Sequence, residues 1–266
     1  MKGKFSFISF QGGQIYFQET GSGMPVVLLH GFLGSASVFN TVIPHLSSNF
    51  RLILIDLPGH GKSDCFGYIH RMEFMARAVN AVLDAINIKK VSIVGHSMGG
   101  YVALSLASGF PDRVLSICLL NSITFSDSAE KKIERQRSIE VIKSGHPLFL
   151  RQTIQYLFAN AYLKENKSAL TIAQHIAEKT SIRGILAALE GMKIRLDNRK
   201  ILGQQKIPVY WFIGKHDAVF PKEIVHRHMK IMGDKFIRKF EKSGHMIMLE
   251  EPELLATVLT EIFDYN

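Results

Sequence analysis

The chain has 266 residues, 47% of them hydrophobic, which is enough to bury one substantial core and makes a single domain with an insertion the default organisation. Its 32 Lys and Arg against 23 Asp and Glu leave a formal charge of +9. No basic run exceeds two residues and no nucleic-acid docking motif is present, so the charge reads as a solvated surface, with neither nucleic acid nor membrane insertion expected. Two cysteines, Cys65 and Cys118, are too few for a disulfide framework or a four-ligand zinc site, and a cytoplasmic monomer or homodimer is expected.

The start, Met1-Lys2-Gly3-Lys4, carries the charge of a signal peptide, but the following FSFISFQGGQ alternates apolar with polar residues and reads as a first strand. Two alternating segments from Phe5 to Phe17 flank Gln11-Gly12-Gly13, the pattern of a β-hairpin whose glycines supply positive φ. Short continuous apolar runs then follow: PVVLLH (25–30), RLILID (51–56), VSIVGH (91–96) and LSICLLN (115–121). Segments of helical period such as Phe74 to Ile86 separate them, and buried parallel strands with crossover helices have this pattern. After Ser122 the strand signal stops for about eighty residues. That stretch reads as helices broken at Ser144-Gly145-His146-Pro147 and near Asn166-Lys167-Ser168. The sheet resumes with PVYWFIG (208–214) and FIRKFEKS (236–243), and 252–265 forms a last amphipathic helix. The expected division is an α/β core of residues 1–122 and 202–266 with a helical cap, 123–201. Between Asn121 and Lys200 there are 14 Lys and Arg against 8 Asp and Glu, so much of the positive charge lies in the cap, where it either favours an acidic substrate or, as helix charges ordinarily do, faces solvent.

The strongest chemical signal is Gly95-His96-Ser97-Met98-Gly99, which follows the apolar strand VSIV and precedes the helix-forming GGYVALSLAS. A strand-to-helix turn demands small residues on both sides of a strained serine, and it aims free N–H groups and a positive dipole end at developing negative charge. A serine hydroxyl needs a base, and of 11 histidines His245 stands out, because Ser243-Gly244-His245 lies between a predicted strand and the last helix. His226 and His228 fall on a helix, His175 lies in the cap, and His70 and His146 sit in polar loops. His30, His60 and His96 adjoin glycine turns and read as structural or pocket-lining groups. Asp217, in Gly214-Lys215-His216-Asp217 directly after the strand VYWFI, is the expected orienting carboxylate, with Asp127 as its rival at the start of the cap. The backbone N–H groups of Phe32, in His30-Gly31-Phe32-Leu33-Gly34, and of Met98 are the expected oxyanion donors. The order Ser97, Asp217, His245 is the one found on α/β-hydrolase folds.

On the segments HGFLGS, GHSMGG, GKHD and SGH, together with Asp56-Leu57-Pro58-Gly59-His60-Gly61-Lys62-Ser63, the chain resembles the α/β-hydrolase superfamily over nearly its whole length. The branch is the one with a serine nucleophile and a short helical cap after the sixth strand. That turn at 56–63 is similar to a D-x-P-G-x-G-x-S turn of the branch and reads as structural. The resemblance implies a mostly parallel central sheet with flanking helices. The GHSMGG elbow resembles that of small carboxylesterases, which implies two-step hydrolysis of a small acyl ester and requires no metal or organic cofactor. Serine at position 97 disfavours the dehalogenase and epoxide hydrolase branches, whose nucleophile is aspartate, and Met98 stands where proline iminopeptidases usually carry tryptophan. Carbon–carbon bond hydrolases, menaquinone-pathway synthases, perhydrolases and thioesterases share most of these motifs, and a slowly turning-over small-molecule receptor on the same fold is the alternative from another class. Apolar residues of the cap, Leu148, Phe149, Tyr156, Leu157, Phe158 and Tyr162, either line an acyl pocket or pack the cap on the core.

Overall fold

A computed structural model describes residues 4–145, 148–203 and 207–264. Eight strands form one sheet: β1 (Lys4–Phe10), β2 (Gly13–Thr20), β3 (Met24–Leu29), β4 (Phe50–Ile55), β5 (Val91–His96), β6 (Val114–Leu120), β7 (Val209–Gly214) and β8 (Ile237–Phe240). Their order is β1-β2-β4-β3-β5-β6-β7-β8. β2 pairs antiparallel with β1 and β4, and the remaining neighbours are parallel. This is the α/β-hydrolase architecture that the motifs imply.

Local chemistry accounts for the opening hairpin. Phe10 pairs with Gly13, so the turn consists of Gln11 and Gly12, both at positive φ (43° and 83°). Two-residue turns of that hand match the twist of the flanking strands. Gln11, rather than Gly13, shares the left-handed conformation with Gly12.

The parallel strands are buried on both faces, as their unbroken apolar runs require. The Met72–Ala85 and Met98–Gly109 helices pack on the sheet and on each other. Trp211 of β7 is fully buried, donates Nε1–H to Ser122 O at 2.7 Å, and meets His228 edge-on at 4.5 Å. β8 ends at Phe240, earlier than the apolar pattern suggests, and the chain beyond it leaves the ladder while Phe240 O and Ser243 O still accept from Lys215 N and His216 N.

Between β6 and β7 the chain forms helices Ala129–Lys143, Leu148–Tyr156, Asn160–Glu165, Lys167–Glu178, Ile182–Lys193 and Lys200–Gly203. Ser128 and Ser181 cap two of them, each accepting an N–H three residues on. The break expected at 144–147 lies partly outside the described residues, whereas Asn166 separates two helices as expected. The insertion sits close on the core: a Cβ on Gly184 would stand 1.9 Å from Gly59 O, and His70 N donates to Ala187 O at 2.9 Å. Its two ends are clasped together. Asn198 N donates to Thr124 O at 2.9 Å and Arg195 Nε to Phe125 O at 3.1 Å, while Arg195 and Arg135 both pair with the buried Asp127. The Arg195 guanidinium lies 4.0 Å from the centre of the Tyr101 ring.

Several histidines are buried in the neutral form, His70 among them, although its polar sequence context suggests an open loop. Burial, then the neighbouring His30 ring, lowers His60 to about 3, and burial lowers His228 to about 4. Unfolded, each takes up a proton near 6.5. Between that pH and the folded values the unfolded chain binds more protons, so stability is fully present above about 6.5 and falls as pH falls. His228 alone accounts for on the order of 3 kcal/mol across the window. The melting temperature is expected to drop steadily from pH 7 to pH 4; a flat Tm over that range, measured by calorimetry, would contradict this account.

Candidate active site

The carboxyl ends of the parallel strands carry the chemistry. Ser97 follows β5 and precedes the Met98–Gly109 helix at φ 49° and ψ −113°, a conformation that L-residues rarely adopt. The surroundings hold it there: Ser97 N donates to Leu120 O at 2.9 Å, and Ser122 Oγ donates to Ser97 O at 2.8 Å. Two of the glycines around the serine are dictated by space. A Cβ on Gly95 would lie 2.6 Å from Gly99 O, and one on Gly99 would lie 2.3 Å from Leu29 O, so strand and helix meet here with no room for a side chain.

His245 follows β8 and Asp217 follows β7, as their sequence contexts indicate. Their side chains are almost wholly buried, and His245 Nδ1 donates to Asp217 Oδ2 at 2.9 Å. Asp217 Oδ1 accepts Val219 N–H at 2.8 Å, which fixes the carboxylate. Nε2 is the ring nitrogen of His245 that the acid leaves unused. Among the described residues the Ser97 hydroxyl makes no hydrogen bond to protein. His96, the residue before the serine, packs its ring 4.9 Å from that of His245 and donates Nε2–H to His245 O at 2.9 Å. Burial, then the adjacent His245, holds His96 well below the usual imidazole range. His96 is therefore a neutral donor that joins the serine turn to the histidine loop.

The loop after β3 completes the cluster. A Cβ on Gly31 would stand 2.6 Å from His96 Nδ1 and 3.1 Å from Ser97 Cβ, so its backbone lies directly against the serine. Among the described residues neither Phe32 N–H nor Met98 N–H is bonded to another protein group, which leaves both as donors. His30 braces this loop, donating Nδ1–H to Gly31 O at 2.8 Å and accepting Leu57 N–H on Nε2 at 2.9 Å. The 56–63 turn is structural, as read: Asp56 accepts the N–H groups of Ala36 and Lys62, and Ser63 Oγ closes it on Asp56 O. Asp127 belongs elsewhere. Its carboxylate is held below the usual range by Arg135 and Arg195, which outweigh its burial, and it bonds to them rather than to a histidine.

Sequence reasoning missed two residues that organise this site. Asn121, at φ 40° just beyond β6, donates Nδ2–H to Gly244 O at 2.7 Å and accepts Gly214 N–H on Oδ1 at 2.8 Å. One amide thus joins the loops that carry the acid and the histidine. Glu250 accepts three backbone N–H groups around His245. A polar residue ending an apolar strand and an acid before Glu251-Pro252 were the available signals.

The insertion touches these loops as well. Tyr156 OH donates to Ala218 O at 2.9 Å and Tyr162 OH to Leu249 O at 2.8 Å, while Phe158 is buried and stacked on Tyr162. Phe158 and Tyr162 therefore pack the insertion onto the core; the Leu148 and Phe149 side chains lie outside the described residues. Among the described residues no group of three or more His, Cys, Asp or Glu could hold a metal ion, and no helix is long and apolar enough to cross a membrane. A serine at a helix N-terminus, an imidazole fixed by a carboxylate and two free amides are together the groups that acyl transfer uses.

A family profile described as alpha/beta hydrolase fold matches residues 24–252. The dihydrolipoyllysine-residue acetyltransferase component of an acetoin cleaving system from Pseudomonas putida is 30% identical over 91% of this chain, which spans 65% of that protein's length. A pimeloyl-acyl-carrier-protein methyl ester esterase from Neisseria meningitidis is 29% identical, with 90% of this chain and 93% of that one covered. Among solved structures, a thermophilic esterase from Thermogutta terrifontis superposes with a TM-score of 0.89 at 25% identity, covering 100% of this chain and 99% of the other. With the profile spanning most of its length and the sheet and strand order of the fold in place, the chain belongs to the α/β-hydrolase family.

Proposed function

We propose that this protein is a serine hydrolase, a carboxylesterase that cleaves small acyl esters through an acyl-enzyme intermediate. Ser97 is the nucleophile, His245 the general base and then acid, and Asp217 the carboxylate that fixes the imidazole tautomer. The amides of Phe32 and Met98 receive the oxyanion. The observation that carries this reading is the 2.9 Å bond from His245 Nδ1 to Asp217, which directs Nε2 as the proton acceptor in a loop that His96 ties to the strained serine. The esterases among the family relatives support the ester as substrate. The helical insertion 123–201 serves as a cap over the acyl site, its tyrosines resting on the acid and histidine loops.

In this mechanism Ser97 Oγ attacks the ester carbonyl as Nε2 takes its proton. The imidazolium formed is stabilised by Asp217 and returns the proton to the leaving alkoxide; water then repeats the sequence on the acyl-enzyme. Steady-state hydrolysis of p-nitrophenyl esters from short to long acyl chains tests it. Sustained turnover falling off with chain length is expected, together with stoichiometric labelling of Ser97 by a fluorophosphonate. A well-folded protein that gives one burst and then no steady rate would overturn the esterase reading in favour of a receptor.

A further inference from the structure

Glu250 is a buried carboxylate with no place in the acyl-transfer steps. Its Oε2 accepts Gly244 N–H at 2.9 Å and Met246 N–H at 3.1 Å, the two amides flanking His245. Its Oε1 accepts Ala159 N–H at 2.8 Å, from the turn between the Leu148–Tyr156 and Asn160–Glu165 helices of the insertion. His245 itself donates its backbone N–H to Leu157 O in the same turn at 2.7 Å. The fit is close, since a Cβ on Gly244 would meet Ala159 N at 2.6 Å. Burying a carboxylate is costly unless donors satisfy it, and here three amides do so while no cation partners it in an ion pair among the described residues. Such a group is an acceptor only, and it suits amide donors arriving from two separate segments.

We propose that Glu250 is a positioning residue for His245 that links the histidine loop to the insertion, so that the seating of the 157–159 turn sets where the imidazole stands. The proposal rests on His245 being the base. Movement of that turn away from the core would release Oε1 and the Leu157 carbonyl together, removing the insertion's two backbone bonds to this loop while the core's own ties, among them Asn121, His96 and Asp217, remain. The seating of the insertion's turn is thereby coupled to competence of the base.

The test uses Glu250→Gln and Ala159→Pro in the full chain, with Tm as a folding control. In Glu250→Gln an amide NH₂ must face one of the three N–H donors. Amide hydrogen exchange is expected to accelerate on the order of tenfold or more in both 244–246 and 157–163, with β5 and β7 unchanged. With a short p-nitrophenyl ester, kcat is expected to fall on the order of 10- to 100-fold and KM to stay within about twofold, as for a displaced base rather than a damaged pocket. Ala159 already has φ −65°, so proline there removes the insertion-side donor without changing that angle, and its Cδ, standing where the N–H pointed, also pushes Oε1 away. It is expected to reproduce the faster exchange at 244–246 and the loss in kcat, and the double variant to lose no more than the worse single one. Faster exchange confined to 244–246 in Glu250→Gln, or an unchanged kcat in Ala159→Pro, would overturn the coupling. Should Glu250→Gln not fold, Ala159→Pro decides alone. A parent that neither turns over esters nor reacts with the fluorophosphonate removes the esterase reading, while the exchange measurements still decide the link.

Discussion

Replacing Ser97 with alanine is expected to lower kcat on a short p-nitrophenyl ester by roughly 10⁴- to 10⁶-fold, the scale seen when a nucleophile that acts with its base as one unit is removed. No other hydroxyl replaces it. Ser122, the nearest serine on β6's side of the turn, spends its Oγ proton on Ser97 O. Alanine keeps the Cβ and therefore the same unfavourable φ of 49°, and the hydroxyl removed makes no bond to protein among the described residues. The substitution should thus leave Tm close to the parent's. Loss of turnover at unchanged Tm isolates chemistry from folding; residual activity within about 100-fold of the parent would mean that Ser97 is not the nucleophile.

Asp217→Asn is the second large effect, with an expected loss in kcat of roughly 10⁴-fold. The shape is preserved and Oδ1 can still accept Val219 N–H, but the group facing His245 Nδ1 becomes an NH₂ donor. The imidazole must then accept at Nδ1 and carry its proton on Nε2, where it can no longer take one from the serine. Asp127→Asn supplies the contrast. That carboxylate is buried between Arg135 and Arg195 at the root of the insertion, so its neutralisation should lower Tm while turnover stays near the parent's. Reversal of the two outcomes, read from kcat and melting curves of both variants, would make Asp127 the orienting acid.

The sheet and the positions of the Phe32, Ser97 and Asp217 segments were legible because parallel strands buried on both faces leave unbroken apolar runs, and each of these segments follows one directly, whereas His245 lies five residues beyond the short, partly exposed β8. The serine turn was legible for a further reason: its glycines are demanded by contacts within a few residues of each other. What escaped was long-range. Asn121 meets Gly244 across 123 positions of the chain and Glu250 meets Ala159 across 91, and no local pattern records such a meeting. Glu250 lies in MIMLEEPEL, where an acid before a helix reads as a favourable dipole contact. The depth of His70 was hidden in the same way, because the Ile182–Lys193 helix that covers it comes more than a hundred residues later.

The clasp at the root of the insertion has a consequence for how this fold could be re-engineered. The chain departs after β6 and returns before β7 at points joined by the Asn198–Thr124 and Arg195–Phe125 bonds, while β6 and β7 pair directly with each other in the sheet. The helical stretch therefore has one fixed root, and it meets the core again at Glu250, His245 and His70. A graft from another member of the fold would have to preserve 124–127 and 195–198 at the root and also restore the backbone contacts that Leu157 and Ala159 make with His245 and Glu250, while the sheet itself needs no redesign.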